Sequence, residues 1–290
     1  MTTQATPISI DAETEKIVRE IGIPPCPKIV LDFMQEMRKD DADMHRLSNL
    51  IGSDPGLAGA VLKTANSSMF GLKTKVGTVQ NAFSVLGMRA TAMLVSSLLL
   101  KRSFPVSSSK LIEEFWRNSA STAAYSAALA PTFIQIDRHV AYTFGLFRDC
   151  GQAVMLGKYP DYPSLFTGEG LRPDATIADE EDVCYPVNHA EIGAVLAQSW
   201  DLSDVIFQAI LYHHHLVSIA SGHVKPPQAT VRLIALGALA DQIQSLHLTG
   251  NPHREWETGK ALIITELGLN EAGLENVAKM VNPIDAAFAA

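Results

Sequence analysis

Apolar residues in this chain recur at helical spacing from one end to the other, and no stretch of convincing length alternates apolar with polar in the manner of a strand. Ile29, Val30, Phe33, Met34 and Met37 mark one helical face, Leu47, Leu50 and Ile51 the next, and Leu57, Val61 and Leu62 a third, each set repeating every three to four residues. That pattern predicts an all-α fold. The punctuation then divides it. Asp54-Pro55 places a capping carboxylate before a proline at the first helical position. Gly87 separates a helix over Val79 to Leu86 from one over Ala90 to Lys101, Leu111 to Ala130 reads as a single alanine- and serine-rich helix, and Asn188 with Glu191 has capping-box spacing. The prolines and glycines of residues 160 to 186 predict an irregular crossing.

A short polar break carrying Pro105, within SFPVSSSK, predicts a lobe boundary. The expected organisation is a flexible N-terminus over residues 1–20, an N-terminal helical lobe over 21–106, a second helical lobe over 107–246, and a C-terminal helical extension over 247–290. No internal repeat is visible.

Composition narrows the function classes. Hydrophobic residues at 47% and charged residues at 19% exclude general disorder. The longest apolar run, Met93 to Leu100, is broken by Ser96 and Ser97, and the N-terminus lacks a basic region followed by an apolar one. No membrane partner is therefore expected, and a cytoplasmic location is. A net charge of −8 argues against nucleic acid as a partner, because binding a phosphate backbone needs a basic surface. Cys26, Cys150 and Cys184 form no CxxC pair and no disulfide framework, and they are expected to be core thiols.

The residues with metal-ligating chemistry are Asp149, His189, His213 and His214, since a divalent ion takes imidazole nitrogens together with carboxylate oxygens. The competing reading is plain structure: histidines at a helix end are stabilised by the helix dipole or simply exposed. Successive residues step about 100° around a helix, so at most two of His213, His214 and His215 face one pocket. Cys150 adjoins Asp149, whose charge works against a thiolate nucleophile. No GxSxG turn, phosphate-binding glycine loop or glycosidase-like carboxylate pair is evident.

The strings IPPCPKIVLDFMQEM, LSNLIGSDPGLAGAVLKTANSSMFG and VGTVQNAFSVLGMRA, followed by EEFWRNSASTAA, RDCG, NHAEIGAVLAQSW and AILYHHH, closely resemble the HDOD family, the HD-related output domains of bacterial signalling. The resemblance covers residues 21 to 246. It implies an N-terminal helical bundle packed on an HD-like lobe. That lobe is also similar to the HD phosphohydrolases and HD-GYP phosphodiesterases, whose ligand pattern falls here on Asn118, Arg148, Asp149, His189, His213, His214 and Ala238, with Asp241 three residues past the last. Asn118, Arg148 and Ala238 replace ligands, and no Gly-Tyr-Pro follows the histidines. A guanidinium has no lone pair for a metal and carries a permanent positive charge.

The resemblance therefore implies a non-catalytic signal-transduction module that acts on other signalling proteins, without a cofactor. Arg148 is expected to supply a metal's charge within a self-satisfied polar network. The alternatives are a divalent ion held by Asp149, His189, His213 and His214 in a metal-dependent phosphohydrolase with a reduced ligand set, and a nucleotide sensor using Arg148 and Lys158. No receiver, kinase, cyclase or DNA-binding segment is recognisable, so input and output are expected from separate proteins. In the ANSSMFG turn, Asn66 and Ser67 are expected to join helices through side-chain hydrogen bonds, with Gly71 supplying a strained conformation. The alternative there is a partner-contact loop that also includes Phe70 and Gly71.

Overall fold

Sixteen α-helices and no strand make up the described part of the chain, as the periodicity predicts. The structure is a computed structural model and describes residues 10–280 apart from 11, 23, 25, 38, 40, 68–71, 73, 105–109, 134, 173 and 174. Phe70 and Gly71 thus lie outside the described residues. No single helix among the described residues is long and apolar enough to cross a membrane.

Helix α1 (Ala12–Ile21) corrects the expectation of a flexible stretch over residues 1–20. Its first turn is acidic at Glu13 and Glu15, its last turn carries Arg19, and Val18 is buried; both charge placements suit the helix dipole. It packs on the helix His189–Ser199, so burial supplies what its polar composition conceals.

One compact unit comprises α2 (Lys28–Met37), α3 (Met44–Gly52), α4 (Pro55–Ala65) and α5 (Val79–Ser103). Asp43 caps α3 by accepting from the amides of His45 and Arg46, and Asp54 caps α4 by accepting from those of Gly56 and Leu57. Helix α5 packs on the other three over a core that includes Phe33, Leu47, Ile51, Leu57, Val61 and Phe83. Gly87 interrupts it with φ 81°, a left-handed backbone value that glycine adopts without penalty. Asn66 ends α4: its amide nitrogen donates to the carbonyls of Leu62 and Val76, and its oxygen accepts from the Val76 amide. One side chain thereby clasps the two ends of the 66–76 connection.

The other unit holds α1 together with α6 (Lys110–Leu129), α7 (Arg138–Phe147), α8 (Cys150–Lys158), α9 (Tyr162–Phe166), α10 (Ile177–Cys184), α11 (His189–Ser199), α12 (Asp204–Tyr212), α13 (Leu216–Ala220), α14 (Gln228–Thr249), α15 (Trp256–Leu267) and α16 (Glu271–Met280). Helix α14 is buried on nearly every side between Thr230 and Gln244, and α6, α7, α12 and α15 pack around it. Two glycines set the approach of the elements that carry the site. A Cβ on Gly145 would lie 2.8 Å from the Ala123 Cα, and one on Gly151 would collide with the His189 carbonyl oxygen. Gly145 thus seats α7 on α6, and Gly151 seats α8 against the start of α11.

Residues 160–186 are not the irregular crossing that their prolines predict. Pro163 sits in the first turn of α9, where its missing N–H costs nothing, and Thr176 with Asp179 forms a complete capping box on α10. The expected boundary at 246/247 falls inside α14. Cys184 is exposed rather than a core thiol.

Candidate metal centre

Asp149 stands where α7 gives way to α8, His189 is the first residue of α11, and His213 and His214 follow the last turn of α12. The capping box of Asn188 and Glu191 fixes the start of α11, and Gly151 brings it against α8. His215 turns away as the N-cap of α13 and meets Tyr212 instead. The ligating atoms of the other four all lie within 4.8 Å of one another.

Each imidazole is oriented from behind. His189 Nδ1–H donates to Glu181 Oε2 at 2.6 Å, His213 Nδ1–H to the Ile210 carbonyl at 2.7 Å, and His214 Nδ1–H to Glu255 Oε1 at 2.8 Å. Tyr162 Oη–H in turn donates to Glu181, and the same carboxylate accepts from the His189 amide at 2.8 Å. A carbonyl and two ionised carboxylates can only accept, so each ring carries a hydrogen on Nδ1 and turns its Nε2 inward. His189 Nε2 lies 3.5 Å from His213 Nε2, 3.1 Å from His214 Nε2 and 3.5 Å from Asp149 Oδ1, and His213 Nε2 lies 3.2 Å from Asp149 Oδ1.

Those four separations are close to what a metal needs. Zinc bonds nitrogen and oxygen at about 2.0–2.2 Å, so neighbouring ligand atoms of a tetrahedral site are about 3.3–3.6 Å apart. Imidazole nitrogens suit zinc among other transition ions, and the acceptors behind the rings are the orienting partners such sites use.

Arg148 does not enter this cluster. Its Nε donates to Asp149 Oδ2 at 3.0 Å and its Nη1 to Asp241 Oδ2 at 2.6 Å, which leaves Asp149 Oδ1 to the imidazoles. The guanidinium is spent on two carboxylates and donates nothing to the Nε2 atoms, so its charge reaches the imidazoles only through Asp149. Ala238 and Asp241 take different places on α14. The α14 carboxylate that meets Arg148 is Asp241, while Ala238 lines a void of about 20 Å³ with Arg148, His213, His214 and Glu255. Asn118 is exposed on α6 and joins Arg148, Asp149, Gln152 and Gln244 around a separate cavity of about 270 Å³. Lys158, the other cation expected near the site, does not line either cavity.

Burial and close pairing shift most of the titratable groups around the site. Burial opposes the charge of Asp149, but Arg148 and the imidazoles hold its carboxyl well below the usual range. Burial likewise opposes Glu255, yet His214 keeps it near a pKa of about 2. Glu181 is lowered by His189 against burial, and burial raises Asp241 despite Arg148. Burial and His214 hold His213 down to about 3, whereas at His189 the carboxylates of Glu181 and Asp149 outweigh burial and push it up to about 10. Burial, reinforced by Asp149, raises the Cys150 thiol, which removes it as a nucleophile. Arg148 thus faces Asp149 and Asp241, while Glu181 is paired with His189 and Glu255 with His214.

Sequence reasoning did not reach Glu181, Glu255 or Tyr162. The capping box that marks α10 is a local signal for the helix holding Glu181. Nothing local singles out Glu255, which lies 41 positions from His214.

The all-helical unit thus brings three imidazoles and an aspartate together from helix ends, beside an arginine-aspartate pair. The HDOD domain profile matches residues 23–216, more than half of the chain, and the chain belongs to the HDOD family. An uncharacterized protein of Treponema pallidum (strain Nichols) is 26% identical over 230 residues, which are 77% of this chain and 44% of that protein's length. A structure from Marinobacter aquaeolei VT8, described as a signal transduction protein, superposes with a TM-score of 0.73 at 22% identity over 98% of this chain and 62% of its own. One from Shewanella amazonensis SB2B, described as a phosphohydrolase, gives 0.68 at 26% identity over 96% of both chains.

Proposed function

We propose that this chain is a signal-transduction module that acts by binding another protein, and that its HD-like unit is held together by one zinc ion rather than using a metal for hydrolysis. The observation that carries the reading is the convergence of three Nε2 atoms and Asp149 Oδ1 within 4.8 Å of one another, four of their separations being 3.1–3.5 Å. An ion held by His189, His213, His214 and Asp149 together would have four protein ligands, whereas catalytic zinc sites keep a position open for water. Bound there, an ion would supply a cross-link between α8, α11 and the turn after α12, together with positive charge among the buried carboxylates. Arg148 holds Asp149 Oδ2 and Asp241, so two further oxygens are unavailable to a second ion. With no position left for an attacking water, the output is contact with a partner.

The experiment is elemental analysis of full-length protein purified without chelator, paired with turnover on a generic phosphodiester in added manganese. About one zinc per chain and no turnover is the expected result. Metal-dependent turnover would overturn it in favour of a phosphohydrolase with a reduced ligand set. That second reading draws on the resemblance to the Shewanella amazonensis structure and on the cavity of about 270 Å³ beside Asp149.

A further inference from the structure

The family match ends at residue 216, yet a group well beyond it reaches the imidazole cluster. Both carboxylate oxygens of Glu255 lie near His214 Nδ1, at 2.8 and 3.0 Å. His214 is in the turn between α12 and α13 rather than on a helix, so no helical rotamer preference aims its ring. The aim has to come from its partner.

That partner is held on a well-fixed element. Trp256 and Ile263 of α15 are buried, and a Cβ on Gly259 would collide with Leu216, so α15 packs directly on α13, just after the histidines. The turn leading into α15 is tied down as well. The His253 amide donates to Gln242 Oε1 on α14 at 2.7 Å, and Arg254 Nε donates to the Ala175 carbonyl at 3.1 Å.

We propose that Glu255 is a positioning residue for the metal centre: it fixes the Nδ1–H tautomer and the ring direction of His214, so the C-terminal segment outside the family domain completes the site. The inference rests on the zinc reading. Its chemistry is general, because a carboxylate behind a ligating imidazole orients the ring and raises its basicity, and losing such a partner typically weakens metal affinity about 10- to 100-fold.

The test is zinc affinity of the full chain by competition titration, for the parent, Glu255→Ala, Glu255→Gln, Glu255→Asp and Glu257→Ala, with cobalt absorption spectra of the same proteins. Glu257 is exposed one turn position away and controls for general negative charge. Glu255→Ala is expected to weaken zinc binding about 10- to 100-fold and to change the cobalt bands. Gln, which keeps an acceptor oxygen, should recover most of the affinity, and Glu257→Ala should leave it unchanged. Should the Ala variant fail to fold, Asp decides, since it keeps the charge but withdraws the oxygens by one methylene and is expected to lose about tenfold. Affinities within twofold of the parent for Ala, or for Asp in its place, would overturn the inference while leaving the zinc site standing. Equal losses in Glu255→Ala and Glu257→Ala would overturn it too, by reducing the effect to bulk charge. A parent that binds no zinc would remove the metal reading, and this inference with it.

Discussion

Arg148 Nη1 lies 2.6 Å from Asp241 Oδ2, and both side chains are nine-tenths buried. The pair joins the end of α7 to the middle of α14, and the same guanidinium holds Asp149 from the other side. An arginine at this position is therefore part of the framework, anchoring the carboxylate whose second oxygen faces the imidazoles.

Arg148→Ala would leave two carboxylates close together without their cation. Removing one partner of a buried ion pair costs about 3–5 kcal/mol because the survivors remain unpaired. Urea unfolding of the full chain checks this; a loss under about 1 kcal/mol would show that Asp149 and Asp241 find compensation elsewhere.

Gly151→Ala tests the approach of α8 to α11. The added methyl meets backbone, the His189 carbonyl, which cannot swing aside as a side chain does. Overpacking of this kind costs about 1–3 kcal/mol. Because the same contact sets the distance from Asp149 to His189, zinc affinity should fall along with stability. Wild-type affinity in a destabilised variant would show that the two helices do not set the ligand spacing.

How far the sequence reveals this molecule depends on the range of each interaction. The helical class, the caps at Asp54 and Asn188, the break at Gly87 and the division of His213 and His214 from His215 follow from local spacing, and the family resemblance adds the four residues that converge at Asp149. Helix α1 was hidden because its polar composition matters less than the burial of Val18, and α9 and α10 because proline is permitted in a first turn. Glu255, Glu181 and Asp241 act on residues 41, 8 and 93 positions away. Which acid serves which base at such separations is decided by packing, which no spacing rule encodes.

Asn66→Ala removes three hydrogen bonds that clasp the 66–76 connection, leaving the Val76 amide and carbonyl in need of partners. A loss of about 1–3 kcal/mol is expected. Unchanged stability with loss of binding to a captured partner protein would instead mark this connection as a contact surface.

Asp54 gives the other unit a pH dependence of defined sign. Hydrogen bonds from Arg102 and then from the Leu57 and Gly56 amides hold its carboxyl below the usual range. Stabilisation from a lowered carboxyl pKa is complete above the unfolded value of about 3.9 and is lost as pH falls through the lowered folded value. Asp54→Ala should cost about 1 kcal/mol at neutral pH through loss of the cap, and the gap between parent and variant should close in acid. Melting curves at pH 7 and pH 3 measure it; a gap that widens in acid would contradict the assignment.

The closed four-ligand site is tested most directly by zinc K-edge X-ray absorption on the zinc-loaded full-length protein. The expected spectrum is that of a four-coordinate ion with ligand atoms at about 2.0–2.1 Å and the multiple-scattering signature of three imidazoles, from His189, His213 and His214, with Asp149 as the fourth ligand. Failure to load zinc, or a five- or six-coordinate ion with bound water, would contradict it, the first by removing the metal and the second by reopening the site to hydrolysis.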